Sequence, residues 1–142
     1  MLLEYKVVGS QQGYVSLANE SAGDVVKSWS PDGSLNSIQR ENLAATPGQC
    51  NPAFRQPLGN IVEKISLNLT VNKASAAAAA AFARTTKTAL LGSKCHFRLT
   101  IDTEVQYYPN GVCSKCHPTY QGSTTEYQIE LETDLVTAQA PS

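Results

Sequence analysis

The sequence predicts an α+β domain: a mainly antiparallel sheet, built as a two-layer sandwich or a rolled sheet, with one flanking helix at about 73–91. Three observations carry that expectation. Ile65, Leu67, Leu69 and Val71 alternate with polar residues, the two-residue period of a half-buried strand. That run leads straight into an alanine-packed stretch, Lys73 to Arg84, and alanine has the best intrinsic helix propensity. Three further alternating runs follow the helix, which is the element order of a small α+β sheet domain.

The bulk numbers set the frame for those elements. At 142 residues the chain is read as a single domain over 1–135, followed by a flexible tail at 136–142. A chain of this length hides about 70% of its unfolded surface and needs no staples. It is 42% hydrophobic and 16% charged, with a formal net charge of −1. No basic excess is available to neutralise nucleic-acid phosphates across the whole surface. The start, Met1-Leu-Leu-Glu-Tyr-Lys6, lacks the basic and apolar regions of a secretion signal. No stretch approaches the roughly 20 apolar residues of a membrane helix. The expectation is a protein made in a cytoplasm, where Cys50, Cys95, Cys113 and Cys116 are free thiols or ligands rather than disulfides.

The elements follow in order. Residues 2–9 read as a first strand and Tyr14–Leu17 as a short second one, with Gly9-Ser-Gln-Gln-Gly13 as the turn between them. Val25–Trp29 reads as a strand stopped by Ser30-Pro-Asp-Gly33. Residues 31–60 carry Pro31, Pro47, Pro52 and Pro57 and show no clear period. They read as an irregular loop, with room for a short helix around Ser37–Leu43, or as an arm that becomes ordered against a neighbouring subunit. Residues 61–71 form the clearest strand. Asn72 stands where a helix N-cap belongs, and Gly92 where a left-handed stop belongs. Between them the core-facing stripe is Phe82, Thr86 and Leu90, with Ala79 and Ala83 beside it.

Past the helix, Cys95–Ile101 is the next strand and Val105–Tyr108 a short one before a turn at Pro109-Asn-Gly111. Gly111–Tyr120 follows. In the last strand, Thr125–Leu135, Tyr127, Ile129, Leu131, Thr133 and Leu135 alternate with Glu126, Gln128, Glu130 and Glu132, giving an acidic outer face.

Two motifs invite chemistry. Cys113-Ser-Lys-Cys116-His117 has the spacing of covalent haem attachment, but that chemistry takes place outside the cytoplasm, and His96 would have to be the second axial ligand. Cys95, Cys113, Cys116 and His117 together make the Cys3His set that suits tetrahedral zinc. Cys113 and Cys116 are three positions apart, so on a regular strand they point to opposite faces, and a bulge is needed to unite them. The competing reading is that these cysteines are small apolar strand residues. No metal, cofactor or catalytic site is therefore assigned. A Cys95–His117 pair is the nearest approach to a nucleophile and base, and the aspartates sit near turns.

From Leu58-Gly-Asn-Ile61 onward the pattern resembles small structural proteins of tailed phages, the tail-tube type in particular. The resemblance runs over residues 58–135: Gly59-Asn60, the strand ending Leu67-Asn-Leu-Thr-Val71, the alanine helix, the strand after Gly92, Tyr108-Pro-Asn-Gly-Val112, and Tyr120-Gln-Gly-Ser-Thr124 leading into the last strand. It implies a non-enzymatic virion component, made in the cytoplasm of a bacterial host, that self-assembles into stacked rings, commonly hexameric. The implied partners are further copies of the chain, other tail or connector proteins, and DNA passing through a lumen, with no membrane. A cysteine and histidine zinc module is the alternative.

Overall fold

The computed structural model describes residues 1–40 and 54–141. The chain is α+β, as the sequence predicts. Its strands are β1 (Leu2–Val7), β2 (Val15–Asn19), β3 (Val25–Arg40), β4 (Phe54–Asn72), β5 (Cys95–Ile101), β6 (Glu104–Gln121) and β7 (Thr124–Asp134), and α1 (Ala76–Gly92) lies between β4 and β5. All pairings are antiparallel, in the order β2-β1-β5-β6-β7-β4-β3.

One strand makes the sheet fold back on itself. The first half of β6 pairs with β5, from Ile101↔Glu104 to Cys95↔Gly111, and the second half pairs with β7, from Val112↔Glu132 to Gln121↔Thr124. The expected turn at Pro109-Asn-Gly111 is instead the point where a continuous strand changes partners. Local turn chemistry survives there: Asn110 sits at φ 53°, in the left-handed region that asparagine tolerates. The absence of a side chain at Gly111 lets the Phe97 ring press against the crossover, where an added Cβ would stand 2.5 Å from Phe97 Cε2.

The two halves close over one core. Leu3, Tyr5, Leu17, Phe97 and Leu99 from the β1–β2–β5 half meet Ile65, Leu67, Leu69, Val71, Tyr127, Ile129 and Leu131 from the β4–β7 half. Ala83 and Leu90 of α1 join them, and Ala79 and Thr86 complete the buried stripe of the helix. Phe82 is half-buried, edge-on to Tyr127, with the Lys73 ammonium 3.8 Å over its other side. Leu135, expected on the inner face, is 46% exposed, because the β4–β7 ladder ends at Val62↔Asp134.

The outermost strands, β2 and β3, are joined by a short 3-10 turn, Glu20–Ala22. Asp24 fastens this corner: its carboxylate accepts the backbone N–H groups of Asn19 (3.1 Å) and Asn72 (2.8 Å). Asn72 therefore does not cap the helix. Its side chain donates to Gly23 O at 2.7 Å and accepts from Thr124 Oγ1 at 2.7 Å, tying the end of β4 to the start of β7 and to the turn before β3. Ser75 takes the cap, accepting the Ala78 N–H at 3.2 Å. Gly92 is the last helical residue and is not left-handed; the C-cap is Ser93 in an extended conformation.

The largest departure from expectation is at 31–60. The turn signal at Ser30–Gly33 does not stop β3, which runs 16 residues beside β4, through Pro31↔Ile65 and Gly33↔Glu63 to Arg40↔Phe54, with register shifts between Val26 and Ser28 and between Leu35 and Ser37. As an edge strand, β3 can leave the missing N–H of Pro31 unpaired. Residues 37–40 are strand rather than the start of a helix, and 41–53 lie outside the described residues. β7 accompanies β4 only from Val62 onward, so residues 54–61 pair with β3 alone. At 3.4 Å per residue, this two-stranded ladder runs about 27 Å past the end of β7.

Candidate functional site

The cysteine constellation resolves first. Cys95, Cys113 and Cys116 are free and buried. The bulge that would bring the last two together does occur: the register slips between Cys113↔Leu131 and Lys115↔Glu130, so both thiols enter the core. Burial pushes Cys95 and Cys116 up to about 11, with the neighbouring Cys113 adding to each. Burial raises Cys113 as well, opposed by a lesser backbone hydrogen-bond effect at Lys115; the neutral thiol donates to Lys115 O at 3.1 Å. A neutral thiol is neither a nucleophile nor a metal ligand. His117 is exposed while its neighbour Cys116 is buried, so neither the Cys95–His117 pair nor the Cys3His set converges. Among the described residues, no three His, Cys, Asp or Glu side chains group as they would to hold a metal ion. Cys50 lies outside the described residues. His96 is buried, and its Nδ1 accepts the Asn110 N–H at 3.1 Å, which holds the β6 crossover.

The polar surface of β3, β4, β7 and the second half of β6 is a more prominent feature. Strand alternation sends Lys64, Ser66, Asn68 and Thr70 of β4 to the same side as Glu126, Gln128, Glu130 and Glu132 of β7. Ser28 and Asp32 extend that side on β3, and Lys115 and His117 on β6. Among the described side chains of this face, the carboxylates of Asp32, Glu126, Glu130, Glu132 and Asp134 outnumber the ammonium groups of Lys27, Lys64 and Lys115. One pair is closed, Lys27 Nζ to Glu126 Oε1 at 2.8 Å. A groove of about 770 Å³ runs along one side, with Lys64, Lys94, Asn110, Glu130 and Asp134 in its wall. Asn110 Nδ2 donates to Asp134 Oδ2 there at 2.8 Å.

The opposite half carries a fixed knot. Arg98 donates to both oxygens of Glu4, at 2.9 and 2.8 Å, and the Tyr14 ring covers its guanidinium at 4.2 Å. Both Glu4 oxygens are thereby paired.

The remaining features are edges. β2 and β3 each have one neighbouring strand, and the β3–β4 ladder continues beyond β7. Sequence reasoning located the acidic strand, but not the β3–β4 ladder, the Asp24 corner or the β6 crossover. An isolated aspartate before two valines carries no signal of a partner 48 residues away. No helix among the described residues is long and apolar enough to cross a membrane.

No protein-family model matches the sequence, and no curated protein matches it. Solved structures do. The chain is similar to one in the tail of an empty GTA particle with C6 symmetry, with a TM-score of 0.51 at 16% identity, over 98% of this chain and 95% of that one. It is likewise similar to a chain in the virion of a native gene transfer agent particle, with a TM-score of 0.52 at 13% identity and the same coverage. At these identities the likeness is one of fold, along nearly the whole of both chains.

Proposed function

We propose that this chain is a non-enzymatic structural subunit of a phage-like virion, a tail-tube-like protein that self-assembles into rings. The observation that carries the reading is the fold shared, over 98% of the chain, with a component of a tail of C6 symmetry. The resemblance of residues 58–135 to phage tail proteins supports it from the sequence. On this reading six copies form a ring, rings stack, and further tail or connector proteins meet the ends. The subunit is made in the cytoplasm of a bacterial host, with its thiols reduced.

The geometry supports assembly as the mechanism. A strand edge is a template for pairing with another chain, and β2 and β3 each offer one. An isolated two-stranded hairpin is marginal in water, so the part of the β3–β4 ladder beyond β7 gains most from lying across a neighbour. The face bearing Glu126, Glu130 and Glu132 has the charge sign that lets DNA pass without adhering, which makes it the candidate lining of a lumen.

Native mass spectrometry of the chain purified without chelator, with electron microscopy of the same sample, tests the reading. The expected result is a closed oligomer of unmodified subunits, with ring projections. A monomer carrying bound metal or haem would overturn it. Replacing Glu126, Glu130 and Glu132 by Gln is expected to leave ring formation intact; loss of rings would move those residues from the lining to the subunit interface.

A further inference from the structure

The groove beside the β6 crossover combines exposed apolar surface with charges that have no partner. Its volume is about 770 Å³, and its walls come from β4, β6, β7 and the residue before β5. Val112 stands there 51% exposed, and the half-buried Val62 lies two strands away. Lys64, Lys94, Glu130 and Glu132 surround the two valines. The ion pairs among the described residues join Met1 to Glu20, Lys27 to Glu126 and Arg98 to Glu4, so none of these four charges is in one. The Asp134 carboxylate, by contrast, is already taken by Asn110 Nδ2.

The rim of the groove is also the point where the β3–β4 ladder leaves the sheet. β7 stops beside β4 at Val62↔Asp134, and both of those residues line the groove. Residues 54–61 carry the chain about 27 Å outward from there, to the pair Arg40↔Phe54. Residues 41–53 connect that pair and lie outside the described residues. A segment of 13 residues going out and back reaches at most about 23 Å. That is short of the return distance, so it cannot enter the groove of its own copy while the ladder stands. By sequence the segment carries one charge, Glu41, beside Leu43, Ala44, Ala45, Thr46 and Gly48.

We infer that the groove is the seat of residues 41–53 of a second copy, delivered there by that copy's β3–β4 ladder. The inference rests on the self-assembly proposed above and names the surface that receives the ladder. Glu41 has two unpaired ammonium groups to meet, Lys64 and Lys94, and Leu43 with the alanines supplies apolar contact for Val62 and Val112. Ladder and groove are different surfaces of one chain, so the contact is head-to-tail, and repeated by rotation it closes into a ring. The seat takes only the Asp134 end of the acidic face and leaves the rows of Gln128 and Glu126 open. It depends on the two lysines and two valines, so it is expected to survive neutralisation of Glu130 and Glu132.

Cys50 lies within 41–53 and gives a direct probe, because Cys95, Cys113 and Cys116 are buried. Ser66→Cys and Ser114→Cys each put a thiol in the groove wall, on β4 and β6. Ser16→Cys, on exposed β2 in the other half, is the control. The full-length variants are oxidised with copper phenanthroline and run on a non-reducing gel; a disulfide requires Cα atoms within about 7 Å. At least one groove variant should give intermolecular cross-links that vanish when Cys50→Ser is added, with Ser16→Cys giving about tenfold less. No Cys50-dependent cross-link from either groove variant, or an equal yield from Ser16→Cys, overturns the seat, while rings in the microscope from the same samples leave the assembly reading standing. Sedimentation velocity supplies a second readout. Val112→Glu should weaken self-association about tenfold or more, because it buries an unpaired charge beside Glu132. Val25→Glu, at a valine 47% exposed and away from the groove, should leave it unchanged. Both are surface positions, so folding is preserved, and equal effects of the two overturn the seat. A wild-type chain that stays monomeric at every concentration defeats the assembly reading, and this inference with it.

Discussion

Gly111 is the most tightly hemmed in of the described glycines. A methyl group there would stand 2.5 Å and 2.9 Å from two atoms of the Phe97 ring and 3.0 Å from Cys95 O. The ring is 1% exposed and has little room to retreat, and the carbonyl belongs to β5. Gly111→Ala should therefore cost about 1–3 kcal/mol of stability by overpacking, read as a lower denaturant midpoint. The thiols give a prediction of another kind. Cys95 and Cys116 titrate from 9.0 when unfolded to about 11 when folded, because burial penalises the thiolate. A folded pKa above the unfolded one means that the unfolded chain loses its protons first. The thiol contribution is thus intact below pH 9 and is lost as pH rises from 9 towards 11. Burial also raises Tyr5, Tyr108 and Tyr127, which steepens the loss above pH 10. Thermal midpoints measured from pH 8 to 11 should fall, and Cys95→Ala with Cys116→Ala should flatten the first part of that fall.

At the scale of elements, each piece behaves according to what its neighbours provide. α1 needs little help from its sequence context, yet its start is set by Ser75 rather than Asn72, because Asn72 is already bound to Gly23 and Thr124. Ser75→Ala should lower stability by about 1 kcal/mol, measured by chemical denaturation. The same logic explains what could be read in advance. β5 was legible to the residue, and β1, β2, β7 and α1 to within a few residues, since each has its own period and its own stop. β3 and β6 were not. Both pass through proline and glycine signals that end a strand in isolation, and both continue because a long partner, β4 for one and β5 then β7 for the other, supplies the ladder. The inward turn of Cys113 and Cys116 was equally hidden, since a bulge leaves no mark in residue spacing. The extended ladder can be tested directly. Replacing residues 35–60 by an Asn-Gly turn should leave a folded single chain by circular dichroism, and should abolish rings in the microscope.

For the molecule as a whole, the closing contacts all lie far apart in the chain. β1 pairs with β2 close by, but its other side pairs with β5, from Leu2↔Thr100 to Val7↔Cys95. This ordering has a consequence for synthesis. Leu3 and Tyr5 belong to the core, and the strand beside them does not emerge until almost a hundred residues later. At about 5–20 residues per second, β1 waits roughly 5–20 s for its partner. During that interval the nascent chain presents an apolar strand with one edge unmet, at a time when many ribosomes are making the same product. On the proposed assembly reading, such a chain must first avoid joining copies of itself too early, and the late arrival of β5 sets how long that hazard lasts.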